Sequence, residues 1–376
     1  MSGERSGAEL IVDLAALAAN YRFLRAKAGQ AACAAVVKSD AYGLGMEAVA
    51  PVLWREGCRW FFVARLEEAQ ALRVILPDAR IAVLNGLVIG MEKLFSDIGA
   101  MPVLNSLDEV ACWRQHARLL GCSLSAILQV DTGMNRLGLS AEDVEKLAQD
   151  PQGLCGIDLE VVMSHLACAG DALAPENIEQ RARFVAALAK LGVGADSEKP
   201  LISLGNSAGI FLGDGYHFRM VRPGGAMYGS NQVQGAPNPM RPVMFFRARI
   251  LQVREVDRGM PVGYGAEYRA PSRMRVATVD AGYADGILRA FGKAGGAFVG
   301  DVRVPVVGRV CMEHIMLDVT DVDDSLVRPG CWVEILGHHA LVDDVARQAG
   351  TIAFEVMVGL GAHHHRTYIG SGRQET

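Results

Sequence analysis

Residues 31–45 read Ala-Ala-Cys-Ala-Ala-Val-Val-Lys-Ser-Asp-Ala-Tyr-Gly-Leu-Gly. Seven small or branched apolar residues, Ala31 to Val37, suit a strand buried on both faces. A charged residue, Lys38, ends it, and a glycine-bounded turn follows. Polar groups placed where a parallel strand stops are the signature of an α/β protein whose site lies at the carboxyl ends of its strands. The pattern around this segment repeats. Asp13 caps a helix with Leu14, Leu17, Tyr21 and Leu24 on one face, and Gly29 ends it. Strands are expected at Trp60–Val63, Ile81–Leu84, Met101–Leu104, Ser125–Val130, Asp158–Met163, Leu201–Ser203 and Phe218–Val221. Between them lie helical runs at Met46–Glu56, Leu66–Leu76, Met91–Ile98, Leu107–Leu119, Ala141–Ala148 and Glu176–Leu191.

Eight strands alternating with helices over about 220 residues fit a closed (β/α)8, TIM-like barrel. A doubly wound open sheet is the competing architecture, but no GxGxxG follows the first strand. After Tyr228 the pattern changes. Residues 231–242 hold three prolines and read as a linker. Beyond it come β-rich runs at Val243–Val256, Arg275–Val279, Val302–Val307, Ile315–Val319 and Trp332–Leu336, with one helix at Val342–Gln348. That is the pattern of a mainly antiparallel β domain. The expected division is therefore a barrel at 13–240 and a β domain at 241–376.

Composition agrees. The chain has 376 residues, 51% hydrophobic and only 6% aromatic, so its core is aliphatic. A formal charge of −5 argues against nucleic acid or an anionic membrane as the main partner. The eight cysteines form no CxxC pair and read as reduced, buried small apolar residues of a cytoplasmic protein. The first residues carry Glu4, Glu9 and Asp13 and show no signal-peptide pattern, and the apolar run Ile81–Met91 is too short to span a bilayer.

The chemistry collects at the expected strand ends. Burial lowers a lysine's proton affinity and makes its amine nucleophilic, which is what a Schiff-base lysine needs; a lysine snorkelling to solvent is the plainer reading of Lys38. Asp131-Thr132-Gly133-Met134-Asn135-Arg136 follows the fifth strand, and Arg136 is either a clamp for an oxyanion or a surface charge. His165 follows the sixth strand and is by itself more in keeping with a satisfied core histidine. Gly205-Asn206-Ser207 and Arg222-Pro223-Gly224-Gly225 follow the seventh and eighth strands, where barrels often bind phosphate. Ordinary turn chemistry is the alternative for both.

Val37-Lys38-Ser39-Asp40-Ala41-Tyr42-Gly43-Leu44-Gly45 resembles the pyridoxal-phosphate attachment motif of the alanine racemase family. The resemblance covers nearly the whole chain and includes Asp131–Arg136, Val262-Gly263-Tyr264-Gly265, Gly282-Tyr283-Ala284-Asp285-Gly286 and Gly308-Arg309-Val310-Cys311-Met312. It implies a barrel plus a C-terminal β domain that also takes the N-terminal strand, here residues 1–12. It further implies a homodimer with a shared site, and pyridoxal 5'-phosphate linked to Lys38. By the same resemblance, Tyr42, Asn206, Ser207, Gly224 and Gly225 bind the cofactor with Arg222 at its ring nitrogen and His165 against its ring. Arg136 meets the cofactor phenolate and the substrate carboxylate. Tyr264, the second catalytic base beside Lys38, comes from the partner with Tyr283, Cys311, Met312 and Glu313.

The activity implied is interconversion of L- and D-alanine, for peptidoglycan or for D-alanine consumption. A serine or broader-specificity racemase is the alternative, and a decarboxylase of the same architecture a more distant one. Three positions depart from the family pattern. Glu313 stands where Asp is common, Gln129 where many members have a lysine, and Phe354 where a phosphate-contacting tyrosine is usual. The loss of that phosphate hydrogen bond implies weaker cofactor retention or a water in the gap. His363-His364-His365 read as structural, on extended chain.

Overall fold

The structure, a computed structural model, describes residues 7–370. Residues 1–6 of the expected N-terminal strand segment lie outside the described residues, as do 371–376. The apolar runs form strands at Trp60–Val63, Arg80–Val83, Ala100–Leu104, Leu124–Gln129, Ile157–Met163, Leu201–Asn206 and Met220–Arg222. All pair in parallel with their neighbours in chain order. The first barrel strand is interrupted, a departure from the single run expected at Ala31–Val37. Its start, Ala32–Cys33, pairs with Met220–Arg222, and its end, Ala35–Val36, pairs with Trp60–Val63. The break between these pieces lets one strand close the sheet on itself from both sides.

Strand residues alternate between two cores, as the pleat requires. Val36, Trp60, Phe62, Ala82, Met101, Val103, Ile127, Val161, Met163 and Met220 fill the barrel interior. Phe61, Val63, Ile81, Leu104 and Leu128 face the surrounding helices. Helix starts are set locally. The Asp13 carboxylate accepts from the amides of Ala15 and Ala16, and Ser106 and Ser140 cap Leu107–Leu120 and Ala141–Gln149.

The remaining residues build the antiparallel sheets. The 13-residue strand Met244–Val256 belongs to two of them, pairing with Met274–Val279 along one stretch and with Trp332–Leu336 along another. Glu9–Asp13 pairs antiparallel with its start and parallel with Arg366–Ile369. A helix not anticipated from sequence, Ala353–His363, precedes that last strand. Gly359 and Gly361 argue against a helix in isolation, but here they permit close contact with other backbones; a methyl on Gly361 would lie 2.0 Å from the Gly43 carbonyl oxygen. The three histidines are therefore not on a fully extended run, since His363 ends this helix.

The cysteines need correction too. All eight are free, but only Cys33 and Cys58 are buried, while Cys122 and Cys155 are exposed in turns. Among the described residues no helix is long and apolar enough to cross a membrane.

The C-terminal segment is fastened to the turn after Lys38. Arg366 pairs with the Asp40 carboxylate at 2.7 Å and donates to the carbonyls of Gly43 (2.7 Å) and Gly361 (2.8 Å). The Tyr368 hydroxyl donates to the Leu44 carbonyl at 3.0 Å. Arg366→Ala is expected to speed amide exchange across residues 39–45 by about thirtyfold, equivalent to about 2 kcal/mol of hydrogen bonding by a charged group. Hydrogen-exchange mass spectrometry checks this, and unchanged protection there would show that the tether is idle.

Candidate active site

A cavity of about 510 Å³ opens at the carboxyl ends of the barrel strands. Lys38, Arg136, His165, Asn206, Ser207, Arg222, Gly224 and Gly225 line it, with Tyr42, Gln129 and Phe354. The lining holds three cations and no carboxylate. The barrel thus brings together every residue expected on its own side.

Lys38 leaves the first strand into an uncommon turn. Ser39, Asp40, Ala41 and Tyr42 all have φ between 53° and 57°, one turn of left-handed helix. Such a conformation costs about 1–2 kcal/mol per L-residue. Hydrogen bonds offset it. Gly43 donates to the Ser39 carbonyl and Gly45 to that of Asp40, and the Asp40 carboxylate accepts from Met46. Burial, with the nearby Arg136 charge, lowers the proton affinity of the Lys38 amine, while Glu68 opposes this.

Arg222 is fully buried and has no carboxylate partner among the described residues. It donates to the Ser203 hydroxyl and, at 2.6 Å, to the Ser164 carbonyl. Desolvation lowers its pKa to about 10, so it stays charged. His165 is pushed down to about 3 by burial and by the charges of Arg222, Arg136 and Lys38, and is therefore neutral. Its ring stands 3.5 Å from the Asn206 amide.

In the same lining, Ser207 Oγ accepts from the amides of Gly224 (2.8 Å) and Ala226 (3.3 Å). With both lone pairs engaged, its hydrogen is left to donate to an acceptor-only ligand. Gly225 has no room for a side chain, because a methyl there would lie 2.1 Å from the Phe354 ring. The Tyr42 hydroxyl lies beside Gly224, and its ring packs against Tyr228 and Phe354; burial raises its pKa to about 12. A serine hydroxyl, glycine backbone and a tyrosine thus converge as an anion cradle.

Arg136 sits on a loop whose form the sequence encodes locally. The Asp131 carboxylate accepts from the amides of Gly133, Met134 and Asn135. Gln129 is buried, and its amide donates to the Leu137 carbonyl at 2.9 Å. It braces the backbone next to Arg136, from one of the positions noted above as departing from the family pattern. Other contributors were not foreseen. Ser164 and Ser203 aim Arg222, while Asn85, Gln232 and Val358 complete the wall. The two serines stand at strand ends, which was the available signal; Val358 depends on the unforeseen helix.

Tyr264, Tyr283, Cys311, Met312 and Glu313 do not line this cavity. They lie in loops of the β domain. The Tyr283 amide donates to the Cys311 carbonyl at 3.0 Å and that of Ala284 to the Met312 carbonyl at 2.9 Å, so two of the loops are joined. Tyr264 is 70% exposed, Met312 54% and Tyr283 39%, and Glu313 is exposed as well. Cys311 is partly buried, which raises its thiol pKa.

Residues 12–232 match the family model of the alanine racemase N-terminal domain, and 243–368 that of the alanine racemase C-terminal domain. The chain is 44% identical over 372 residues to a protein of Agrobacterium fabrum named "Alanine racemase, catabolic", covering 99% of this chain and 94% of that one. It is 46% identical over 366 residues to an alanine racemase of Methylobacterium nodulans, covering 96% of each. The crystal structure of alanine racemase from Bartonella henselae with covalently bound pyridoxal phosphate superposes with a TM-score of 0.92 at 37% identity, covering 97% of this chain and 100% of that one.

A neutral buried histidine makes unfolding pH-dependent. His165 takes up a proton only when unfolded, so the stability it confers is present above about pH 6.5 and is lost as pH falls toward about 3. In the cofactor-free protein, His165→Asn is expected to reduce the acid-side slope of unfolding free energy by up to one proton; an unchanged slope would place the charge elsewhere.

Proposed function

The chain belongs to the alanine racemase family, and from that premise we propose that it interconverts L- and D-alanine with pyridoxal phosphate, using Lys38 and Tyr264 as bases on opposite faces of the substrate. The observation that carries the reading is a single cavity lined by one amine, Lys38, a buried cation, Arg222, and an anion cradle at Ser207, Gly224 and Gly225.

The residues fit the cofactor. The Ser207 hydroxyl, Tyr42 and the glycine backbone suit a phosphate, which only accepts hydrogen bonds. Neutral His165 suits packing on a ring without adding charge, and Asn206 steadies it. Lys38 supplies the amine for attachment. When bound, the cofactor supplies the electron sink for the charge left as the Cα proton departs.

The chain's own residues do the rest. Arg222 cannot readily give up its proton, so it donates a hydrogen bond to the ring nitrogen without protonating it. Arg136 holds the substrate carboxylate and the phenolate. Lys38 takes or returns the proton on one face and Tyr264 on the other, each serving as base in one direction and acid in the reverse. Tyr264 lies outside the cavity of its own chain and is exposed, which supports its donation, with Tyr283, Cys311, Met312 and Glu313, to a second copy in a homodimer. Enantiomers have equal free energies, so one cytoplasmic enzyme serves either supply of D-alanine to peptidoglycan or its consumption.

A racemisation assay over single-enantiomer amino acids tests this. Alanine is expected to exceed serine by about tenfold or more in kcat/KM, and Lys38→Ala to lose both turnover and the absorbance of lysine-linked cofactor. Comparable rates for serine would favour the broader racemase, and an unchanged spectrum would remove the cofactor assignment.

Tyr264→Phe is expected to cost at least about a hundredfold in racemisation with cofactor still bound. Mixing it with Lys38→Ala, after verified subunit exchange, restores partial activity through hybrid dimers carrying one intact site. No recovery would count against a shared site.

A further inference from the structure

Glu68 belongs to the helix Leu66–Ile75, one βα unit beyond Lys38. One of its carboxylate oxygens accepts from the amides of Ala64 (2.7 Å) and Arg65 (3.1 Å), the ordinary task of a capping-box glutamate. The other oxygen does something a cap does not require. It reaches back to the barrel mouth and accepts from the Ser39 amide at 2.6 Å. Ser39 is the first left-handed residue after the lysine.

We propose that Glu68 is a positioning residue for Lys38: its carboxylate pins the Ser39 amide, fixing how the lysine leaves its strand, and sets a negative charge against the cations around the amine. The inference rests on Lys38 carrying the cofactor and acting as a base. The geometry supports both halves. A carboxylate that bridges two successive strand ends locks the start of the strained turn to the neighbouring unit. The groups acting on Lys38 are otherwise positive or neutral. Arg136 comes from its loop, neutral His165 from the sixth strand's end, and Arg222, within the same cavity, from the eighth. Asp40, in the turn itself, is engaged by Arg366. Glu68 thus opposes the effect of burial and of Arg136 on the amine.

Glu68→Gln separates the two tasks. Glutamine still caps a helix, but with one carbonyl oxygen it cannot serve both sides, and its NH2 facing the Ser39 amide would repel it. On the holoenzyme, the pH titration of the absorbance of lysine-linked cofactor is expected to move to lower pH by about one unit, because removing an anion disfavours the protonated nitrogen. The value of kcat is expected to fall about tenfold or more with KM nearly kept, as for a mispositioned base, and the thermal midpoint to change little. Glu68→Asp keeps the charge but is one methylene shorter. It should hold the titration near the parent's while lowering kcat, and it serves alone if the glutamine variant does not fold. A titration and kcat unmoved in Glu68→Gln, or a loss of thermal stability alone, would reduce Glu68 to a helix cap and overturn the proposal; in Glu68→Asp an unchanged kcat does the same. Absence of the lysine-linked band from the parent enzyme would instead overturn the cofactor reading beneath it.

Discussion

The turn from Ser39 to Tyr42 is the constraint on which the site depends. Four consecutive L-residues sit in left-handed conformation, a state their side chains disfavour. It persists because two separate parts of the chain, the helix Leu66–Ile75 and the strand Arg366–Ile369, hold it. Glu68 takes the Ser39 amide, Arg366 takes Asp40 and the Gly43 carbonyl, and Tyr368 takes the Leu44 carbonyl. Gly43 has φ of 85°, and a methyl there would lie 2.6 Å from the Met357 carbonyl oxygen. The C-terminal domain therefore shapes the candidate site of its own chain by bracing the turn after Lys38, quite apart from any face it offers a second copy. Strain at such a place is kept when its surroundings over-determine it.

Charge is the second organising feature. Lys38, Arg136 and Arg222 share a cavity with no carboxylate in its lining. Burial first, and like charges at close range after it, raise the cost of protonating any further group, which explains why His165 is neutral and Lys38 loses proton affinity. Such a cavity attracts anions, and its donors are already directed inward by neutral partners: Ser203 and the Ser164 carbonyl for Arg222, and the Gln129-braced loop for Arg136. Preorganised donors of this kind need no rearrangement when charge arrives.

Much of the barrel was legible because its signals are local. Trp60–Val63 appears at the residues expected, and the other strands fall within a few residues, since short apolar runs between helical periods report buried parallel strands directly. The residues at strand ends were legible for the same reason: polar side chains such as Lys38, Asn206 and Arg222 directly follow apolar runs. Their roles were supplied by resemblance, because a lone lysine or histidine after a strand has several ordinary explanations. The helix Ala353–His363 was not legible. Its glycines weaken it in isolation, and its stability comes from close packing that only the folded chain provides.

By itself, then, the sequence determined the alternation of strands and helices, the change to β structure after the linker, and the ordered motifs that mark the family. These follow from periodicity, turn chemistry and adjacent residues, which act over a few positions. Only the tertiary structure decided how the first strand breaks to close the barrel, that Glu68 and Arg366 converge on the lysine turn from opposite ends of the chain, and that Tyr264 stands outside the cavity its own chain encloses. Arg366 meets the Gly43 carbonyl across 323 positions of sequence, and a contact of that range leaves no local pattern from which to read it.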